Sequence, residues 1–319
     1  MRKATILFNP NSGRGRRDKG ELGKAVEILQ SAGVRTELTV CRSSQEATQH
    51  AHCAVVAGSD TVFACGGDGT IHDVIQGLAG TNVALAVLPL GTANALAHDL
   101  ALPFHPSDAA RTLLNRQVMR IPLGRLEYQD FSGRPASCFF TVAAGIGVDA
   151  HLFYKLNGEL KQRSGMAAYY WKAWQLWATH RMQRFEVEYS NGSGHRQQAS
   201  LTELLAVRIR FFGGILREFV PGASLHHPQL RTVMCRTDSR NAYLQYVAGA
   251  LLGQRWKIEG IDLVSCSEIV CQPRADAEQR IYVEADGELL GRLPVRMTIV
   301  PDALSVLVPN EIAEVRLQK

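Results

Sequence analysis

A strand, a glycine-rich turn and a helix follow one another at residues 61–78, and this unit constrains the fold more than any other stretch. Residues 61–64 form a short apolar run of the kind found in buried parallel strands. Apolar residues then recur at helical spacing, namely Ile71, Val74, Ile75 and Leu78. This spacing predicts a helix that begins near Thr70. The unit is typical of an α/β fold with a parallel sheet.

The turn between strand and helix has the sequence Gly66-Gly67-Asp68-Gly69-Thr70. Glycines let the backbone approach a ligand closely, and the amides at a helix start favour an anion such as phosphate. A carboxylate beside phosphates would be repelled unless Mg²⁺ or a substrate hydroxyl lay between them. Asp68 therefore favours a phosphate site that includes a cation. The alternative is a structural turn in which Asp68 caps the helix.

Two further polar turns follow predicted strands in the first third of the chain. Residues 9–13 come after a strand at 4–8, and residues 89–97 come after a strand at 83–88. A helix ending near Gly33, a strand at 34–40 and a helix at 45–57 complete the pattern. In a doubly wound sheet the three turns would gather at one edge, where such sheets bind ligands. Basic residues after the first turn would steer a polyphosphate or form a solvated loop; they are Arg14, Arg16, Arg17 and Lys19.

The pattern changes near residue 125, where runs at 138–142, 185–189 and 204–209 predict antiparallel strands. Residues 191–194 predict a hairpin turn. A helix at 165–180 carries three tryptophans, at 171, 174 and 177, and either packs on the β-domain or faces lipid. We therefore expect an α/β domain at 1–125, to which residues 301–319 return, and a domain of antiparallel strands at 126–300.

A pair of carboxylates lies near the end of the chain, in the sequence Asp286-Gly287-Glu288. If these residues belong to one strand, positions two apart point to the same side, so both carboxylates would face one cleft. One could then hold Mg²⁺ while the other accepts a proton. The spacing alone is equally typical of an ordinary structural turn.

Composition narrows the class of partner. The formal net charge of +5 is mild, and it fits an anionic substrate or membrane surface as well as nucleic acid. No pattern of interleaved aromatic and basic residues points to nucleic acid, so we expect none as a partner. The seven cysteines are scattered and form no CxxC pair, which favours reduced thiols over disulfides or zinc. The chain opens directly into a strand without a signal-peptide pattern, so we expect a cytoplasmic protein.

Taken together and in order, these motifs resemble the diacylglycerol kinase catalytic-domain family, which includes bacterial soluble lipid kinases and the sphingosine and ceramide kinases. The motifs that carry the resemblance are Asn9-Pro10-Asn11-Ser12-Gly13, Gly66-Gly67-Asp68-Gly69-Thr70, Pro89-Leu90-Gly91-Thr92-Ala93-Asn94 and Asp286-Gly287-Glu288. Further matches lie at 144–150, 161–169 and 212–214, before Pro221. The resemblance covers about residues 5 to 309.

The resemblance implies a nucleotide domain similar to those of NAD kinase and phosphofructokinase, a C-terminal β-sandwich, and an active site in the cleft between them. It assigns ATP binding to residues 9–13 (Asn9, Pro10, Asn11, Ser12, Gly13), to residues 66–72 (Gly66, Gly67, Asp68, Gly69, Thr70, Ile71, His72) and to Thr92 and Asn94. Asp68 and Asp286 would organise Mg²⁺, and Glu288 would accept the proton of a lipid hydroxyl. The expected partners are a lipid with a free hydroxyl and a membrane surface contacted peripherally; a homodimer is compatible with the sequence.

The sequence departs from the family pattern in three places. Cys41 stands where a threonine often contacts the nucleotide, and Ala95 stands where an aspartate is commoner. His227 and Pro228 replace an Asp-Gly pair associated with a structural Mg²⁺ site. Imidazole is a poor ligand for this hard cation, so we expect that second site to be absent.

Two rival functions remain open at this point. The first is a kinase of a soluble substrate such as NAD, since NAD kinase shares the glycine turn at 66–69. The second is a nucleotide-binding module without catalysis, against which the set of Asp68, Asp286 and Glu288 argues.

Overall fold

The computed structural model describes residues 1–13, 19–147, 182–190, 196–212, 218–275 and 281–310. Several predictions lie outside these residues: the basic residues 14–17, the tryptophan-rich helix at 165–180, the hairpin turn at 191–194 and the return of residues 311–319. The described residues form two compact units. Unit 1 contains those of Met1–Leu123, Phe211–Gly214 and Val300–Lys319, and unit 2 contains those of Gly124–Arg210 and Ile215–Ile299.

Unit 1 alternates strands and helices, as its sequence pattern predicted. In chain order they are β1 Lys3–Phe8, α1 Lys19–Ser31, β2 Arg35–Val40, α2 Ser44–Val56, β3 Thr61–Gly66, α3 Asp68–Leu78, β4 Ala84–Pro89, α4 Ala95–Asp99 and α5 Pro106–Leu114. A further strand, β5 Arg116–Gln129, passes from unit 1 into unit 2. The helix α2 begins where the Ser43 hydroxyl accepts a hydrogen bond from the Glu46 amide, a common N-cap arrangement.

The strands of unit 1 form a parallel sheet in the order β2, β1, β3, β4. The end of the last strand, β15, pairs in parallel with β4 through Ser305 and Val306. Every residue of β3 and β4 is buried, which explains why their sequences are continuous apolar runs instead of alternating ones. Because all these strands run the same way, the turns after β1, β3 and β4 lie at one edge of the sheet.

Unit 2 is built mainly from antiparallel strands. After β5 they are β6 Pro135–Phe140, β7 Ala143–Gly147, β8 Phe185–Ser190, β9 Arg196–Leu201, β10 Glu203–Val207, β11 Leu230–Cys235, β12 Ile261–Cys266, β13 Glu268–Pro273, β14 Tyr282–Ala285 and β15 Glu288–Pro309. The predictions of strands at 138–142, 185–189 and 204–209 are confirmed by β6, β8 and β10. One described helix, α6 Arg240–Leu251, was not predicted.

Three groups of strands pair with β15. The first runs β12, β11, β10, β7, β14, the second runs β13, β8, β9, and the third is β5 with β6. All three groups bury side chains in a common hydrophobic core, to which Phe140, Ile146, Phe185 and Met297 belong. This arrangement agrees with the expected β-sandwich.

All seven cysteines lie in described residues, and none of them forms a disulfide. Six are buried and Cys53 is exposed. Among the described residues, no helix has both the length and the apolar character that a membrane crossing requires.

Candidate active site

Hydrogen bonds join the turn after β1 to the turn after β3. The Asn9 side-chain amide donates to the Thr70 hydroxyl at 3.0 Å, and the Asn9 backbone amide donates to the Cys65 carbonyl. The Ser12 hydroxyl lies 3.3 Å from the Thr70 hydroxyl and accepts a hydrogen bond from the Gly67 amide. These bonds position the polar groups of residues 9–13 beside the start of α3.

Close backbone approach joins the turns after β3 and β4, and it requires glycine. A Cβ atom on Gly91 would lie 2.6 Å from the Gly67 Cα atom, far inside van der Waals contact. A Cβ atom on Gly66 would lie 2.4 Å from the Thr70 hydroxyl oxygen. The Leu90 amide donates to the Gly66 carbonyl at 2.8 Å and completes the contact. The structure thus brings together the three turns that the sequence placed at one edge of the sheet.

The helix α3 begins at Asp68, and its N-cap residue Gly67 offers no side-chain hydrogen bond to the first turn. Backbone N–H groups at a helix start point along the axis and have no intrahelical acceptor. Together with the helix dipole they favour an anion at this end. The glycine-lined approach to these groups is of the kind that a phosphate group would fit.

The carboxylate of Asp68 binds the turn after β4. Its two oxygens accept hydrogen bonds from the backbone amides of Asn94, at 2.9 Å, and Ala95, at 2.7 Å, at the start of α4. Asn94 has φ of 50° and ψ of 48°, and its side chain accepts from the Gly91 amide and donates to the Gly91 carbonyl. Asp68 therefore fixes the turn after β4 relative to α3.

The remaining residues of the predicted nucleotide site differ in accessibility. Ile71 and His72 are 2% and 5% exposed, so their side chains belong to the interior of unit 1. Asn11, Gly13 and Thr92 are exposed. Pro10 and Gly69 are partly buried in the same turns. A ligand at this edge would therefore contact the turn backbones and the exposed polar side chains, and would not contact the His72 imidazole.

Two of the three departures from the family pattern lie in unit 1. Cys41 is 1% exposed, and burial raises the pKa of its thiol to about 11, with smaller contributions from the nearby charges of Glu46 and Asp73. The Cys41 thiol is therefore buried, and it is protonated at neutral pH. Ala95 has no polar side chain, and its backbone amide donates a hydrogen bond to the Asp68 carboxylate.

The Asp286-Gly287-Glu288 sequence forms a tight hairpin between β14 and β15. Ala285 pairs with Glu288, and the two residues between them have positive φ, 50° at Asp286 and 84° at Gly287. This is the pattern of a two-residue type I′ turn, for which Asp-Gly is a favoured sequence. Asp286 is thus a turn residue, so the prediction that it and Glu288 share one face of a strand is wrong.

Four donors surround the carboxylate of Asp286. One oxygen accepts from the amides of Val142 at 2.8 Å and Ala143 at 3.1 Å. The other accepts from the Thr141 amide at 3.0 Å and the Thr141 hydroxyl at 3.4 Å. A carboxylate offers about four acceptor positions, so these donors occupy the places that a metal ion would need. The geometry favours a structural role for Asp286 and removes the reason to expect Mg²⁺ there.

Glu288 differs from Asp286 in being exposed at the first position of β15. The hairpin turn fixes its backbone, because Asp286 anchors one side of the turn and Gly287 donates to the buried carboxylate of Glu284 at 3.0 Å. Of the two carboxylates in this motif, Glu288 is therefore the one that is placed to meet a ligand.

Sequence reasoning missed Arg208, a charged residue that is only 1% exposed near the Asp286 turn. Its guanidinium donates to the Leu225 carbonyl at 2.8 Å and the His227 carbonyl at 3.4 Å. Burial lowers the pKa of Arg208 to about 10, and the negative charge of Asp286 partly opposes this. The side chain stays cationic at neutral pH and holds the segment in which His227 and Pro228 stand. An arginine between the apolar residues Val207 and Ile209 is the signal that could have drawn attention to it.

The donor groups fit ATP and Mg²⁺ in unit 1. Mg²⁺ is commonly held by one or two carboxylates together with substrate phosphates, so a single aspartate near a phosphate site is sufficient. Asp68 supplies such a carboxylate, at the first residue of α3. Within the described ranges, no group of three or more His, Cys, Asp or Glu side chains forms a metal site.

Comparisons with known proteins agree with this organisation. Residues 3–126 match the family model of the diacylglycerol kinase catalytic domain, and residues 141–308 match that of the YegS C-terminal NAD kinase beta sandwich-like domain. A Bacillus subtilis protein named diacylglycerol kinase is 27% identical over 317 residues, which cover 98% of this chain and 99% of that protein.

Solved structures show the same fold. A candidate diacylglycerol kinase from Bacillus anthracis has a TM-score of 0.76 at 20% identity, covering 97% of this chain and 96% of that chain. Yeast NADH kinase complexed with NADH has a TM-score of 0.51 at 10% identity, covering 99% of this chain and 86% of that chain.

Proposed function

Because this chain belongs to the diacylglycerol kinase catalytic-domain family, and is thus a phosphotransferase with an alcohol as acceptor, we propose that it is an ATP- and Mg²⁺-dependent lipid kinase. It would transfer the γ-phosphoryl group of ATP to the hydroxyl of diacylglycerol or a related lipid. The observation that carries the nucleotide part of the proposal is the junction of three polar turns at the uncapped start of α3.

The residues of unit 1 would bind and orient the nucleotide. Phosphate oxygens would accept hydrogen bonds from the backbone amides at the start of α3, while Asn9, Ser12 and Thr70 line the neighbouring turn. Asp68 would hold Mg²⁺, which supplies neutralisation of the phosphate charge when bound. Phosphoryl transfer depends mainly on positioning and charge neutralisation, so a rigid set of turns is well suited to it.

Glu288 would accept the proton of the lipid hydroxyl as the hydroxyl oxygen attacks the γ-phosphorus, while the bond from that phosphorus to the β-phosphate oxygen breaks and ADP leaves. A positioned general base contributes roughly 10²–10⁴-fold in rate. Asp286 would act by positioning, because its carboxylate binds the amides of residues 141–143 and so holds the turn from which Glu288 projects. Access to a lipid would require peripheral contact with a membrane, and we propose that the protein works at the cytoplasmic surface of one.

The test is transfer of labelled γ-phosphate from MgATP to lipids in mixed micelles, followed by organic extraction. The panel comprises diacylglycerol, monoacylglycerol, phosphatidylglycerol, ceramide and sphingosine, with NAD added in a separate aqueous reaction. Glu288→Gln and Asp68→Asn should remove the organic-phase label. Glu186→Gln, at another exposed glutamate of unit 2, and Asp73→Asn, on the same helix as Asp68, are matched controls that should retain it.

Label that appears in the organic phase and depends on both Glu288 and Asp68 supports the proposal and identifies the lipid. Label that stays in water and requires NAD would instead show a kinase of a soluble substrate. Binding of ATP without any transfer would show a nucleotide-binding module.

A further inference from the structure

Arg208 contacts two parts of unit 2, and the first is the irregular segment 225–227. Its guanidinium donates to the carbonyls of Leu225 and His227, at 2.8 Å and 3.4 Å. The arginine is only 1% exposed, so these bonds form away from water. Hydrogen bonds with a charged donor are roughly twice as strong as neutral ones. The guanidinium therefore fixes the backbone of this segment.

The second part is the Asp286 turn, to which Arg208 is joined through Val142. The Arg208 backbone amide donates to the Val142 carbonyl at 2.9 Å, and the Val142 amide donates to the Asp286 carboxylate at 2.8 Å. The Asp286 amide donates in turn to the Ala143 carbonyl at 2.8 Å. Burial lowers the pKa of Arg208 to about 10, and the negative charge of Asp286 acts in the opposite direction. The cation and the carboxylate of the turn therefore stabilise each other.

A second arginine, Arg231, holds the same stretch of chain a few residues upstream. Its Nε donates to the Pro221 carbonyl at 2.8 Å, and a terminal nitrogen donates to the Ser265 hydroxyl at 3.1 Å. Ser265 belongs to β12, which lies at the far end of its group of strands from the Asp286 turn. The bonds of Arg231 thus lead away from the turn, which makes this residue a useful comparison for Arg208.

Segment 225–227 is also where the family pattern has a structural Mg²⁺ site, and the residues present do not fit that ion. His227 stands at the position of a carboxylate, and its imidazole is a poor ligand for a hard cation. The backbone carbonyls of Leu225 and His227, which are oxygen ligands of the right kind, point at the Arg208 guanidinium instead. The buried positive charge would also repel a divalent cation placed beside it.

We propose that the Arg208 guanidinium takes the place of a metal ion in unit 2 and acts as a positioning residue for Glu288. It fixes segment 225–227 and, through Val142 and Asp286, the turn from which Glu288 projects. The effect on catalysis rests on the proposed function, in which Glu288 is the general base. The ordering of unit 2 by this cation does not depend on that function.

Hydrogen–deuterium exchange tests the ordering without any need for activity. In Arg208→Gln, the amides of residues 225–227 and 286–288 should exchange roughly tenfold faster than in the wild type, the factor that corresponds to losing one hydrogen bond to a charged group. Arg231→Gln should accelerate exchange near Pro221 and leave 286–288 unchanged. Unchanged exchange at 286–288 in Arg208→Gln would overturn the connection between the cation and the turn.

Steady-state kinetics test the positioning role. Arg208→Gln should lower kcat about 10²-fold, the size of effect that a misplaced catalytic group produces, and leave the KM for MgATP unchanged, because the nucleotide-binding turns lie in unit 1. Arg208→Lys keeps the positive charge but lacks the planar fork, so it should restore part of the lost kcat. Arg231→Gln should keep the wild-type kcat, as should Arg196→Gln at an exposed arginine of β9.

The metal question is tested on Asp68→Asn, which lacks the Mg²⁺ ligand proposed in unit 1. Hydrogen exchange at 225–227 is compared in Mg²⁺ and in EDTA, both without nucleotide. The two exchange rates should be the same, because Arg208 already supplies the positive charge. Slower exchange in Mg²⁺ would show that the segment binds a metal ion and would overturn the replacement.

The remaining outcomes also decide the proposal. Wild-type kcat in a folded Arg208→Gln would overturn the positioning role. If circular dichroism shows that Arg208→Gln is unfolded, Arg208→Lys carries the same test, and wild-type exchange and kcat in that variant would overturn the proposal. A wild type without kinase activity, together with faster exchange of Arg208→Gln at both 225–227 and 286–288, would refute the proposed function and leave the ordering by Arg208 supported.

Discussion

Replacing Asp286 with asparagine separates the structural and the chemical roles of the Asp286-Gly287-Glu288 turn. Asparagine tolerates the positive φ of 50° at this position, so the turn conformation can persist. One of its two terminal groups remains an acceptor for the amides of residues 141–143. The other becomes an NH₂ group that faces donors where a carboxylate oxygen had accepted their hydrogen bonds.

The magnitude follows from the donors that lose an acceptor. Each carboxylate oxygen of Asp286 accepts two hydrogen bonds, and Thr141, Val142 and Ala143 are all buried. A hydrogen bond to a charged group contributes about 1.5–3 kcal/mol, and a buried donor left without its acceptor costs about 1–3 kcal/mol. We therefore expect Asp286→Asn to lower the free energy of unfolding by roughly 2–4 kcal/mol. Asp286→Ala should cost more, because alanine adds about 1–2 kcal/mol of strain in the left-handed region.

Glu288→Gln is the matched comparison, since it alters a carboxylate two residues away that is exposed. Exposed substitutions usually change stability by less than about 0.5 kcal/mol, so urea unfolding should be close to that of the wild type. Its kcat should nevertheless fall by about 10²–10⁴-fold if Glu288 is the general base. Urea unfolding followed by circular dichroism and phosphoryl transfer measured well below the unfolding midpoint give the two quantities for each variant.

Asp286→Asn and Glu288→Gln should therefore differ in opposite ways in unfolding free energy and in kcat. Asp286→Asn should lose stability and keep more activity than Glu288→Gln, while Glu288→Gln should keep stability and lose activity. The reasoning is refuted if Asp286→Asn unfolds at the wild-type urea concentration and is as inactive as Glu288→Gln. That result would indicate that Asp286 takes part directly in the reaction.

Three further predictions concern backbone packing, thiol accessibility and stability in acid. Gly91→Ala should lower the melting temperature, because the new Cβ atom would lie 2.6 Å from the Gly67 Cα atom. Gly20→Ala should raise the melting temperature slightly, because Gly20 lies in a helix and a Cβ atom there would have no other atom within 4 Å. Differential scanning fluorimetry measures both melting temperatures. Ellman's reagent should titrate one thiol rapidly in the native protein and seven in denaturant, and Cys53→Ser should remove the rapid one. Burial alone would raise the pKa of Asp60, but hydrogen bonds from two backbone amides and a threonine hydroxyl outweigh burial and lower the pKa. The stability that this carboxylate contributes is present above the ordinary aspartate pKa and is lost as the pH falls through the pKa of the folded state. Asp60→Asn should therefore lose less stability in acid than the wild type, as measured by urea unfolding at several pH values.

The fold of unit 1 could be predicted because its signals are local. β1, β3 and β4 are continuous apolar runs, since parallel strands inside a doubly wound sheet are buried on both faces. Each is followed by a turn whose glycines mark its end. The helix α6 escaped prediction for the opposite reason. Its apolar residues occupy both the packed face and the exposed face, so no period of 3.6 residues stands out from the sequence.

The convergence of the three turns could also be predicted, because parallel strands share an edge at their carboxyl ends. The partners of individual side chains could not. Asp68 binds the amide of Asn94, which is 26 residues away, and Asp286 binds the amide of Thr141, which is 145 residues away. Such pairings depend on the register in which strands and turns meet in three dimensions. No local pattern in the sequence carries that information.

The acidic residues of the site show why short motifs over-predict catalytic and metal-binding roles for aspartate. Aspartate is favoured in glycine turns because its short carboxylate binds nearby backbone amides, and a catalytic or metal-binding carboxylate has the same appearance in the sequence. The hydrogen bonds distinguish these cases. The carboxylate of Asp286 accepts hydrogen bonds from four donors and stabilises the backbone, whereas Glu288 is exposed at the end of a rigid hairpin. Since a carboxylate has about four acceptor positions, the more of them the backbone fills, the weaker the case for chemistry at that residue.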